Sequence, residues 1–111
     1  EACNYSPGSS TNIINVGAFY YVEEGIGQNK QCIRDAYWFF SRPNSPGMNY
    51  GRCVDIIAPG QYVHSANYRT SSDFLSMSGT SMACPHVAGA SALLLERYPL
   101  DSAFSIENRL K

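Results

Sequence analysis

Leu75-Ser76-Met77-Ser78-Gly79-Thr80-Ser81-Met82-Ala83-Cys84-Pro85-His86-Val87-Ala88-Gly89 is the stretch that decides how this chain folds. Its character changes in the middle. As far as Gly79 it is small, polar and flexible; from Ala83 to Leu95 it is small and apolar, with no charge before Glu96. That change is the pattern of a loop turning sharply into a buried helix. Ser81 falls at the junction. There the first-turn N–H groups have no intrahelical acceptor and the helix dipole is positive. A hydroxyl so placed suits a nucleophile whose reaction builds negative charge nearby. Pro85 reads as tolerated for the same reason, as a residue of the first turn.

Beyond this stretch the apolar segments are short. Ile13, Ile14, Val16 and Ala18 make the segment Asn12 to Phe19 a strand buried on both faces of a parallel sheet. Val54, Ile56, Ile57 and Ala58 make a second strand within Gly51 to Gly60, stopped by Pro59-Gly60. A strand buried on both faces of a parallel sheet belongs to an α/β fold, in which helices cover the sheet. Small residues at Ala88, Gly89, Ala90 and Ala92 predict close neighbours around the helix, so a large residue at Gly89 should overpack. Arg97 and Pro99 end the helix, and Asp101 or Ser102 caps another in which Ile106 and Leu110 are one turn apart.

The motif also carries a resemblance. Gly79-Thr80-Ser81-Met82-Ala83-Cys84-Pro85-His86-Val87-Ala88-Gly89 resembles, over eleven consecutive positions, the nucleophile motif of subtilisin-like serine proteases (peptidase S8). Asn4-Tyr5-Ser6-Pro7 with Ile14-Asn15-Val16-Gly17-Ala18, and Asn49-Tyr50-Gly51 with Val54-Asp55-Ile56-Ile57-Ala58-Pro59-Gly60, are similar to segments of the proteinase K branch, in the family's order. The resemblance implies a three-layer fold with a parallel sheet and a buried nucleophile helix. Ser81 would be the catalytic nucleophile, and its backbone N–H would serve the oxyanion hole. The catalytic Asp and His and the oxyanion Asn belong to segments before Glu1. Residues 1–111 are therefore expected to be the C-terminal portion of a peptidase domain, incomplete at both ends, with an insertion at about 20–48. The fragment alone is expected to be inactive. The alternative is a subtilisin-like domain that binds without catalysis, or a structural piece of a larger assembly.

Other residues follow from the same comparison. His64 and Asp73 match no catalytic position, and His86 matches a helix-packing one; five residues from Ser81, it does not share its helix face. The resemblance implies a Cys3–Cys53 disulfide and hence an oxidising, secreted or vacuolar setting. By count alone the four cysteines (Cys3, Cys32, Cys53, Cys84) allow three connectivities, and their spacing fits no C-x-x-C metal site. Cys84 reads as a small buried thiol. Asp55 is a charge inside an apolar run and needs a partner. The resemblance implies a structural calcium bound by Asp55 and by carbonyls of Thr11 and Ile13; the other reading is a turn cap, or a pair with Arg52 or another base.

Composition sets bounds. With 111 residues, 44% of them hydrophobic, and a formal charge of -1, the chain is ordinary for a globular domain. No basic excess indicates nucleic acid, and no run reaches the roughly 20 apolar residues a bilayer span needs. The expected partners are a protein or peptide substrate and the remainder of the same catalytic domain. Asn4-Tyr5-Ser6 fits a glycosylation acceptor, but Pro7 follows directly, and modification there is not expected. Ala36-Tyr37-Trp38-Phe39-Phe40 reads as rings packed over the domain in preference to an aromatic contact surface.

Overall fold

The apolar segment around Val16 forms a strand because its small and β-branched residues fit a pleated surface covered by a helix. In a computed structural model, which describes residues 2–24, 31–37, 50–70 and 72–111, this strand is β1, Val16–Glu24. It begins later and runs further than the sequence pattern indicates. The side chains of 20–24 and 31–37, and all of Trp38, Phe39 and Phe40, lie outside the description.

Two strands flank β1. β2 (Gln31–Tyr37) pairs with it antiparallel, and β3 (Ile56–Pro59) pairs with it parallel, so the sheet order is β2-β1-β3. The parallel register sets Val16 opposite Ile56 and Ala18 opposite Ala58. Part of the stretch read as an insertion is thus an antiparallel hairpin arm on the parallel pair. A second, two-stranded sheet joins β4 (Val63–Ala66) to β5 (Phe74–Met77). The sequence reading treats residues 61–72 as polar loop after His64. The hairpin there is exposed along nearly all its length, so no burial pattern announces it.

β5 leads into α1 (Thr80–Arg97), which packs on β1, β3 and α2 (Ala103–Leu110). The contact is made by small side chains. Ala18, Ala58, Ala83 and Val87 are the buried cluster, with Ile14, Val16, Ile56 and Leu110 packed around it. Three alanines at the interface bring the helix backbone close to the sheet. Ser102 caps α2 by accepting the Ser105 N–H, and Ile106 on that helix is buried. The Cys3–Cys53 disulfide closes a sequence separation of 50. On the loop-entropy account such a closure contributes about 4 kcal/mol.

Three expectations are corrected. The helix is not buried all round: Leu93 is 69% exposed and Leu95 44%. An apolar helix is buried only where something covers it, and the described chain covers one face with the sheet and α2. For the same reason nothing among the described residues lies within 4 Å of a Cβ placed at Gly89, so that position is open and not crowded. Cys84 is a free, exposed thiol and not a buried one.

Close approach is required at Gly60 instead. A Cβ there would stand 2.5 Å from Ala18 Cβ and 2.9 Å from the Gly79 carbonyl oxygen. Gly60 also ties the two elements together. Its N–H donates to the Phe19 carbonyl (3.1 Å), and its carbonyl accepts the Gly79 N–H (2.7 Å). Gly60→Ala is expected to destabilise the folded protein by about 1–3 kcal/mol, read as a lower urea midpoint at unchanged m-value.

Candidate active site

Gly79 is the N-cap of α1 and offers no side chain to cap it. Its carbonyl takes the first helical hydrogen bonds, from the N–H groups of Met82 (3.0 Å) and Ala83 (3.3 Å). Thr80 and Ser81 therefore occupy the start of an 18-residue helix, where N–H groups have no intrahelical acceptor. Ser81 is exposed, while Ala83, two residues on, is fully buried. The packing of Ala83 fixes the helix, and that in turn fixes where the Ser81 hydroxyl stands.

Pro85 differs from its sequence reading. It is the sixth residue of α1, in the second turn. An N–H at that position would donate to the carbonyl four residues back, which is that of Ser81. The proline removes the donor and leaves the backbone at the serine without its ordinary helical partner.

Ser81 opens on a surface cleft of about 350 Å³. Residues 63–65 of β4 form one wall; Ser81, Met82, Pro85 and His86 of α1 form the other. Two imidazoles line it, His64 and His86. The hydrogen bonds of both go elsewhere. His86 Nδ1 lies 2.8 Å from the Met82 carbonyl oxygen, an acceptor, so this nitrogen carries the proton and donates. His64 Nδ1 lies 3.0 Å from Ser76 Oγ, and its ring stacks on Phe74 with centroids 5.2 Å apart. His86 is exposed and braces the helix backbone through its own ring, where the sequence reading has it packed against a neighbour.

Ordering the loop before the helix is Ser78, whose Oγ accepts the Tyr62 N–H at 2.9 Å. Tyr62 has φ of 50°, a left-handed value uncommon outside glycine. The bond holds the turn entering β4 against the loop entering α1, and so keeps the two walls of the cleft together.

Asp55, Thr11 and Ile13 are not among the residues lining the cleft; Asp55 immediately precedes β3, and Thr11 and Ile13 precede β1. Asp55 Oδ2 accepts the Asn15 N–H at 2.9 Å, while the Asp55 N–H donates to the Asn15 carbonyl at 2.9 Å. Lys111 Nζ donates to Asp55 Oδ1 at 3.1 Å and to Glu107 Oε1 at 2.6 Å. Partial burial pushes the Asp55 carboxyl up, but the Asn15 N–H and the Lys111 ammonium outweigh it and hold the group below the ordinary carboxylate value. Lys111 is raised, chiefly by its bond to Glu107 and then by Asp55. Arg109, in the last turn of α2, pairs with Asp101 ahead of that helix at 2.6 Å and lies over the Tyr98 ring.

This geometry belongs to a known family. Residues 2–111 match the model of the subtilase family, and the chain is a member of it. It is 40% identical over 110 residues to the extracellular serine proteinase of Thermus sp. strain Rt41A, covering 99% of this chain and 22% of that protein. To the alkaline extracellular protease of Yarrowia lipolytica it is 40% identical over 99 residues, covering 86% of this chain and 19% of that one. The fold is that of a solved cold-adapted subtilisin-like serine proteinase, with TM-score 0.67 and 30% identity over 97% of this chain and 32% of the other. The chain thus spans about a fifth of the length of these two sequence relatives.

A depressed carboxyl binds its proton more readily when unfolded. Its contribution is present above the ordinary aspartate value of about 3.9 and is lost as pH falls through the lower folded value. Asp55→Asn is expected to cost about 1 kcal/mol at neutral pH and to flatten the loss of stability below about pH 4, read by urea titration across that range.

Proposed function

We propose that this chain carries the nucleophile of a secreted serine endopeptidase, and that Ser81 is that nucleophile. One observation bears most of the weight: the Ser81 hydroxyl is exposed beside an open cleft at the first turn of a helix that is anchored by a fully buried neighbour. The alcohol Oγ attacks the peptide carbonyl, and its proton passes to an imidazole that a carboxylate orients. The Ser81 N–H, directed outward at the positive end of α1, stabilises the oxyanion. We assign the base to neither His64 nor His86: their Nδ1 atoms bond Ser76 and Met82, no orienting carboxylate among the described residues bonds either ring, and neither ring bonds Ser81. The base, its orienting Asp and the second oxyanion donor come from further chain of the same catalytic domain, to which these residues contribute the C-terminal portion.

Two further points support the reading. Leu93 and Leu95 leave an apolar side of α1 uncovered, as expected of a segment that folds within a larger domain. The Cys3–Cys53 disulfide suits an oxidising compartment, in agreement with the extracellular relatives. The substrate is a protein or peptide.

A fluorophosphonate probe tests the assignment on the full-length protein. Wild type is expected to label and Ser81→Ala to lose all label, with peptide turnover falling by about 10⁴- to 10⁶-fold at unchanged melting temperature. Absence of labelling in the wild type would favour a binding domain of the same fold. Residues 1–111 alone are expected to give no measurable hydrolysis.

A further inference from the structure

Asp55 is the position at which the family likeness implies a calcium ion, with Thr11 and Ile13 supplying carbonyls. The residues present do not fit a divalent cation there. Calcium takes six to eight oxygen ligands, and carboxylates are its strongest. Both Asp55 oxygens already face donors: Oδ2 the Asn15 N–H, and Oδ1 the Lys111 ammonium at 3.1 Å. A second carboxylate, Glu107, is held by that same ammonium at 2.6 Å. A divalent ion at Asp55 would have to displace the lysine or sit beside a like charge. No group of three or more metal-ligating side chains gathers among the described residues.

We propose that Lys111 replaces the cation. Its ammonium neutralises Asp55 and, from the C-cap of α2, fastens that helix to the point where β1 and β3 meet. A divalent ion would gather carbonyls of one loop. The lysine instead links two elements 56 residues apart in sequence. It makes the junction independent of calcium. The other charged groups near it agree, because Arg109 is committed to Asp101 and Glu107 to Lys111 itself. The proposal makes no use of Ser81, so it stands or falls separately from the peptidase reading.

The test is melting of the full-length protein in EGTA and in millimolar calcium chloride, for wild type, Asp55→Asn, Lys111→Met and Lys111→Arg. The difference in Tm between the two conditions is expected to be the same in wild type and Asp55→Asn. Lys111→Met is expected to lower Tm in EGTA by roughly 2 to 4 °C, and Lys111→Arg to recover most of that loss. Terbium titration followed by tyrosine-sensitised luminescence adds a readout that needs no lysine variant, with equal uptake expected in wild type and Asp55→Asn. A calcium-dependent gain in Tm, or a terbium site, that vanishes in Asp55→Asn overturns the proposal. So does a Lys111→Met protein that melts in EGTA at the wild-type temperature.

Discussion

The contact of three alanines, Ala18 on β1, Ala58 on β3 and Ala83 on α1, is the constraint from which the site follows. Where these three meet, methyl groups separate the helix from the sheet, with Val87 beside them. At Gly60 even a methyl does not fit. The same close approach allows the main-chain bonds from the Gly60 N–H to the Phe19 carbonyl and from the Gly79 N–H to the Gly60 carbonyl. The end of one strand, the turn after another and the start of the helix are thereby fixed to one another. Ser81 inherits its position from that arrangement, two residues before the buried methyl of Ala83.

Around this rigid contact the polar groups are used to hold turns. Ser78 bonds the turn at Tyr62, and His86 bonds its own helix. Asp55 and Asn15 exchange hydrogen bonds at the start of the parallel pair. Ser78 and Asp55 each take up an N–H group where an element begins. The serine at the cleft is not used in this way; it stands exposed beside a second-turn position that Pro85 leaves without a donor.

Much of this was legible in the sequence by its residue types. The run of small and apolar residues from Ala83 to Leu95 is long enough to read as a buried helix, and Pro99 after Arg97 stops it. Ile14-Asn15-Val16-Gly17-Ala18 and Val54-Asp55-Ile56-Ile57-Ala58 specify strands. The β4–β5 hairpin was not legible, because its strands are exposed and so lack the alternation that burial imposes. Pro85 was misjudged by one helical turn, since the helix begins at Thr80, and Gly79, Thr80 and Ser81 are all residue types that suit an N-cap, so type alone did not fix the start.

The sequence by itself determined the two parallel strands, the two helices and the residue at the head of the first helix, because spacing and side-chain type act over a few positions. Tertiary structure decided which faces are covered, which partner neutralises Asp55 and where two histidines spend their hydrogen bonds. Those outcomes depend on residues such as Asp55 and Lys111 meeting across the fold. Local propensity carries no information about a meeting between positions so far apart in the chain.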